Sequence, residues 1–250
     1  MSGHSKWSQI KRQKAAGDVK KGQAFTRATR EIMLAARQGG PSPEANFRLR
    51  LAIEKARAVG MPKDNIQRAV ERASGKTEAA ALEEILYEGY GPGGVSVMVE
   101  AVTDNRNRTA SAVRSVFTKF GAKLGESGSV QWMFEQKGQL DVDTNGKDVD
   151  DITLRAIDAG AEDVVVNDGT ATITLYTAPG DIERVKRELE QQGERVISAE
   201  VSMRPNQTVR VEGAAADKVL RLVDALEELD DVQRVHANFD IPDEIFAKVS

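Results

Sequence analysis

A chain of 250 residues is long enough for one large domain or two to three small ones, and its 40% apolar content can fill real cores. The absence of cysteine excludes disulfides, thiolate zinc sites and cysteine nucleophiles, and no apolar run approaches the roughly 20 residues of a membrane helix. The formal charge of −4 conceals a split: residues 1–76 carry 17 Lys and Arg against 6 Asp and Glu, a net +11, while the other 174 carry 18 against 33, a net −15.

In chain order, residues 1–22 are polar, basic and Gly-containing, with few apolar side chains, among them Trp7, Ile10 and Val19. They are expected to be an arm, poorly ordered without a partner. They lack the apolar core of a signal peptide, so the cytosol is the expected location. Phe25, Ala28, Ile32 and Ala35 recur at helical spacing and predict a helix over 23–38. Gly39-Gly40-Pro41 breaks it. Ser42 is the expected N-cap of a second helix, with Pro43 at its first position and Ala45, Leu49, Ala52, Ile53 and Ala56 on one face. Pro62 opens a third, striped by Ile66, Ala69, Val70 and Ala73.

Beyond about residue 80 the pattern becomes α+β. Strands are predicted at Leu82–Glu88, over Val95–Ala101 and at Val130–Phe134, with a helix marked by Val113, Val116, Phe117 and Phe120. A complete βαββαβ series follows. It runs through a strand at Gln139–Val142, a helix over 149–159, and strands at Asp163–Val166 and Ala171–Leu175 joined by an Asn167-Asp168-Gly169 turn. A helix marked by Ile182, Val185 and Leu189 and a strand at Arg195–Val201 complete it. Thr208–Val211 (strand), 215–229 (helix) and Val232–Phe239 (strand) remain, and they complement the segment 82–134. The expected fold class is therefore α+β and multidomain: an N-terminal three-helix domain followed by two ferredoxin-like α+β domains, one inserted in the other. The expected boundaries are 1–22 for the arm and 23–78 for the helical domain. A discontinuous α+β domain covers 79–136 plus 205–250, and the inserted domain covers 137–204; three consecutive domains would leave two half-sheets with open edges.

A basic block on an otherwise acidic chain is the electrostatic mark of nucleic-acid contact, because neutralising phosphates releases counterions. The arm supplies Lys6, Lys11, Arg12, Lys14, Lys20 and Lys21 against Asp18. On the first helix Arg27, Arg30 and Arg37 fall within about 80° of one another, opposite the Phe25–Ile32 stripe. Trp7 among the arm cations could stack on bases or cover the helical bundle as a loose core residue; His4 could stack or hydrogen-bond. The pattern does not choose between DNA and RNA.

Several apparent chemical motifs dissolve. Gly89-Tyr90-Gly91-Pro92-Gly93-Gly94 satisfies G-x-G-x-x-G, but a strand rather than a helix follows it, so a hairpin turn is expected. The loop could also admit a close-lying backbone such as RNA at Gly91, Gly93 and Gly94. Asp141, Asp143, Asn145 and Gly146 open like a calcium loop, but its twelfth position is Ile152, so a surface turn is expected. His4 and His236 show no ligand cluster or catalytic partner. Arg106 and Arg108 lie where a helix dipole opposes cations. They are expected either to meet an anion as a secondary contact or to pair with Asp104 or Glu126.

Gly3-His4-Ser5-Lys6-Trp7 with Ile10-Lys11 and Lys14, Glu88-Gly89-Tyr90-Gly91-Pro92-Gly93-Gly94, and Thr103-Asp104-Asn105-Arg106-Asn107-Arg108-Thr109 resemble the signatures of the YebC/PmpR family. That family also contains the mitochondrial translational activator of cytochrome oxidase subunit one. The resemblance spans essentially the whole chain. It implies an N-terminal helical domain and two α+β domains around a cleft. It implies two competing roles as well: a DNA-binding transcriptional regulator, or a ribosome-associated translation factor that binds ribosomal RNA and aids synthesis of proline-rich stretches. A protein-interaction adapter is the third class, and an enzyme the least supported. No cofactor, metal, membrane or small-molecule substrate is expected.

Overall fold

The computed structural model describes Trp7 and residues 18–74, 82–167 and 171–242. From residue 18 onward the described elements begin with three helices, α1 (Asp18–Gly39), α2 (Phe47–Ala58) and α3 (Lys63–Ser74). Helix α1 starts inside what the sequence places in the arm. Its first turns are tied down by tertiary contact, the Gln23 side-chain amide donating to the Glu228 carbonyl at 3.1 Å. The N-cap of α2 is Asn46, not Ser42. Asn46 Oδ1 accepts from the Leu49 N–H at 3.0 Å, while Nδ2 donates to the Ala35 and Gly40 carbonyls at 2.8 Å each. One buried side chain thereby closes α1 and opens α2, whereas the Ser42 hydroxyl is engaged with Glu44. Ile32, Leu49, Ala52, Ile53, Ile66 and Ala69 centre the bundle core.

The described residues fall into two compact units, Phe134–Asn206 and the remainder. The larger contains the bundle and a four-stranded antiparallel sheet of order β3-β1-β2-β9, formed by β1 (Glu83–Tyr90), β2 (Ser96–Thr103), β3 (Lys123–Leu124) and β9 (Val232–Ala237). Helices α4 (Arg106–Lys119) and α7 (Gly213–Glu227) lie on one face, where Val97, Val99, Val113, Phe117, Val219, Leu220 and Val235 form the core. The opposite face carries Met98, Glu100, Arg234 and His236 in register and turns to α1, with Arg234 reaching Glu31 at 3.2 Å. Strands β8 (Val209–Arg210) and β10 (Phe239–Asp240) make a short parallel pair. Asn238 interrupts the expected final strand, because its side chain leaves the ladder to accept from the Ser96 N–H at 2.7 Å.

The turn between β1 and β2 is a hairpin closed by the Gly91 N–H donating to the Val95 carbonyl at 2.7 Å. At Gly93, with φ +74°, a Cβ would lie 2.7 Å from Val211 Cγ1, so the close neighbour at this glycine is the protein's own side chain. Gly89 shows the tightest fit in β1. A Cβ there would sit 2.5 Å from Phe117 Cε1 and 2.6 Å from the Lys123 carbonyl oxygen. Gly89→Ala should therefore cost about 1–3 kcal/mol by overpacking, read as a lowered urea midpoint with an unchanged slope.

The smaller unit is an antiparallel sheet of order β5-β6-β4-β7, from β4 (Phe134–Asp143), β5 (Asp163–Asn167), β6 (Thr172–Thr177) and β7 (Arg195–Pro205). With helices α5 (Val149–Asp158) and α6 (Ile182–Gln191), it has the ferredoxin-like arrangement. The strand expected at Val130–Phe134 is instead a 3-10 turn over Gln131–Met133 leading into β4. Asp141 belongs to β4, buried and accepting from Thr174 and Ser198 at 2.8 Å each, and is not part of a surface turn. Asp168 and Gly169 of the expected hairpin turn lie outside the described residues.

Candidate nucleic-acid interface

Of the expected contacts, His4, Lys6, Lys11, Arg12 and Lys14 lie outside the described residues, and Lys20 and Lys21 lie on α1. Trp7 is 5% exposed and packs into the core of the sheet domain with Val219 and Leu222, not over the bundle. Its indole N–H donates to Asp224 Oδ1 at 3.2 Å. Burying a large aromatic with its one donor satisfied stabilises the domain, and it removes the ring faces from stacking on a base.

The basic face of α1 is also turned inward. Arg30 donates to the Asp230 carbonyl and pairs with Asp231 Oδ1 at 2.8 Å. Arg27 is half-buried, and its buried Nε meets no acceptor among the described residues. Burial pulls its pKa below the ordinary guanidinium value against the opposing charges of Glu227 and Asp230. Arg37 is half-buried. The one-sided cationic face expected on α1 is therefore, through Arg27 and Arg30, the seam between the bundle and the acidic 227–231 segment. Sign and spacing predicted a contact with negative charge; the negative charge is the protein's own.

The same holds for the Thr103–Thr109 signature. Asn105 caps α4 by accepting from the Arg108 N–H at 3.0 Å. Arg108 pairs with Asp104 at 2.7 Å and with Asp231 at 3.0 Å, and the Thr109 hydroxyl donates to Asp231 Oδ2 at 2.7 Å. Burial would raise the Asp231 pKa. The Thr109 and Arg108 hydrogen bonds and the charges of Arg30 and Arg108 overcome this and hold it below the usual carboxylate range. Glu126 takes no part; Asp231, more than 120 residues away in sequence, supplies the anion. Arg106 is exposed and lies 3.6 Å from Glu83. His236 contacts Glu100 at 3.0 Å, part of a polar seam that continues through Arg234 and Glu31 to Lys55. Gly91, Gly93 and Gly94 form the hairpin turn described above.

Cations that the sequence reading passed over remain on the outside of the bundle. Arg57 at the end of α2 and Lys63, Arg68 and Arg72 on α3 are exposed, and their side chains make no ion pair or hydrogen bond among the described residues. Arg68 and Arg72 stand one turn apart on one face, where like charges repel by a few tenths of a kcal/mol. That i, i+4 repetition, opposite the Ile66–Ala69–Val70 stripe, was the available signal.

A second exposed feature sits at the far end of the sheet. Tyr90 is 41% exposed and Trp132 71% exposed. The Tyr90 hydroxyl and the Trp132 indole N–H both donate to the Ser129 carbonyl, at 2.8 and 3.2 Å. The loop is held from beneath by buried Glu88, whose carboxylate accepts the N–H groups of Gly128, Val130 and Gln131 at 2.6, 2.7 and 2.8 Å. Burial would raise the Glu88 pKa, but these three donors hold it below the ordinary value. Nothing in the sequence separates an exposed tryptophan from a core one: Trp7, for which both a stacking and a core position were open, lies in the core of the sheet domain, and Trp132, on which the sequence reading was silent, is exposed.

Among the described residues no group of His, Cys, Asp and Glu is arranged to hold a metal ion, and no helix is long and apolar enough to cross a membrane.

Residues 5–76 match the TACO1/YebC protein N-terminal domain, and residues 82–239 match the TACO1/YebC second and third domain. A probable transcriptional regulatory protein of Dehalococcoides mccartyi (strain CBDB1) is 53% identical over 248 residues, covering 99% of this chain and 98% of the relative. One from Thermomicrobium roseum is 53% identical over 250 residues, covering 100% of each. The crystal structure of a conserved hypothetical protein from Aquifex aeolicus superposes with a TM-score of 0.85 at 47% identity, covering 91% of this chain and 93% of that one. With both family descriptions matched in order and near-full-length relatives at half identity, the chain belongs to the TACO1/YebC family.

Proposed function

We propose that this chain is a cytosolic, non-enzymatic regulator of gene expression that binds nucleic acid through its basic N-terminal end. The first reading is DNA-linked control of transcription. The observation that carries the proposal is the charge division, +11 over residues 1–76 against −15 over the rest. A polyanion is drawn first to the basic end of such a molecule. The names of the full-length relatives, probable transcriptional regulatory proteins, support the regulatory role. The arm cations Lys6, Lys11, Arg12, Lys14, Lys20 and Lys21 and the exposed Arg57, Lys63, Arg68 and Arg72 would hold phosphates. Arg27 and Arg30 would hold the bundle in place.

Crosslinking in cells, followed by sequencing of the attached DNA and RNA, tests this. Enrichment of defined DNA sequences is expected. Recovery of ribosomal RNA would replace transcription by translation as the regulated step. Partners that all survive nuclease treatment would make the chain a protein adapter and overturn the proposal.

A further inference from the structure

We propose that Tyr90 and Trp132 form a stacking platform for the bases of an unpaired nucleic-acid strand. This inference rests on the reading of the chain as a nucleic-acid-binding regulator and names a second contact for it. Large aromatic surface is costly to leave in water, yet Trp132 is 71% exposed on a loop that the protein holds rigidly. The staking is extensive. Glu88 takes three backbone N–H groups of the loop, the Gly125 N–H returns to the Glu88 carbonyl at 2.8 Å, and the Ser96 hydroxyl reaches Met133 Sδ at 3.0 Å. A buried carboxylate spent on fixing an exposed loop is the mark of a pre-organised surface, which lowers the ordering cost of binding.

The polar edges of the pair select the partner. Tyr90 Oη–H and Trp132 Nε1–H are both directed to the Ser129 carbonyl. Those two donors are already used, so the pair meets a partner chiefly through its π-faces. Flat bases stack on such faces whatever their sequence. Exposed Lys123 lies directly across the β1–β3 ladder from Tyr90, on the same face of the sheet, where it attracts a phosphate; Glu126 is the loop's one exposed acid.

Position adds continuity with the basic end. Tyr90 and Glu84 lie on one face of β1, and Glu84 is where the bundle touches this strand, through Arg48 of α2 and Gln38 of α1. Six residues of strand separate the two points, about 20 Å, a span of three to four nucleotides of an extended strand. A strand whose phosphates are held on the bundle can therefore reach the platform, whereas duplex keeps its bases stacked away from it.

The test uses the full chain and fluorescently labelled ten-nucleotide oligouridine and oligothymidine, titrated by anisotropy across a range of salt. Trp132→Ala should weaken binding by about tenfold, with an unchanged slope of log K against log salt, because stacking and not phosphate contact is lost. Trp132→Phe should retain most of the affinity. The exposed position makes the folded state of both variants safe, and thermal melting checks it. Loss confined to oligouridine identifies the strand as RNA; equal loss identifies any unpaired strand. Wild-type affinity in Trp132→Ala, while reversal of the arm charges still weakens binding, overturns the platform and leaves the proposed function standing. Absence of binding by the wild type to either probe and to duplex overturns both.

Discussion

Asp231→Ala should unfold the larger unit more readily by about 3 kcal/mol, lowering its melting temperature by about 6–12 °C. This carboxylate accepts from Thr109 and Arg108 of α4 and pairs with Arg30 of α1. Deleting it removes the acceptor that Thr109 meets at 2.7 Å, leaving that buried hydroxyl the Asn105 carbonyl and Thr103, and leaves two cations facing an empty site. Asp231→Asn should cost less, because an amide oxygen still accepts while the charge is lost. The acid limb supplies a second check. The folded-state pKa of Asp231 lies below its unfolded value, so its stabilisation is complete above the unfolded pKa and fades as pH falls through the folded one. The gap between wild type and Asp231→Asn should be constant from about pH 5 upward and shrink below about pH 4. Urea melts at several pH values measure it; a gap that widens in acid would exclude the charged form as the source.

Reversing Lys11, Arg12, Lys14, Lys20 and Lys21 together to Glu should reduce affinity for nucleic acid by about a thousandfold or more at low salt. The slope of log K against log salt should become shallower by up to about 4. A second variant, Arg57→Glu with Arg68→Glu and Arg72→Glu, separates the arm from the outer face of α3. If the arm alone grips phosphate, this variant keeps the wild-type slope; if α2 and α3 share the contact, it loses part of it. Because Arg57, Arg68 and Arg72 are exposed, their reversal leaves the core intact. Wild-type affinity in the fivefold variant would end the assignment of the basic end as the contact.

Much of the fold was legible because period and punctuation are local. The stripe Ile66, Ala69, Val70 marked α3, and the alternation Val97, Val99, Ala101 marked β2. The exchange of Ser42 for Asn46 as a cap was illegible, since what decides it is the Asn46 amide reaching back to Ala35 and Gly40. Electrostatics was half legible. The excess of cations on α1 was plain, but its partners Glu227, Asp230 and Asp231 lie 200 residues on, and only folding brings them together. A one-sided basic helix reads the same whether it faces phosphate or the acidic loop of its own chain. Trp132 was hidden by a strand assignment that its neighbours Val130, Met133 and Phe134 favoured; the backbone instead turns there because Glu88 collects the N–H groups that a strand would have paired.

The insertion of the Phe134–Asn206 unit has a consequence for synthesis. Strand β2 pairs with β9 through Val97 and Ala237, 140 positions apart, whereas the inserted unit is assembled from one unbroken stretch. At about 5–20 residues per second, a ribosome leaves the β2 edge uncovered for roughly 7–28 s after it emerges. During that interval the inserted unit can complete its own sheet. The first-made half of the larger sheet stays vulnerable to edge pairing with neighbouring nascent chains, so folding of the molecule finishes at its C-terminal end.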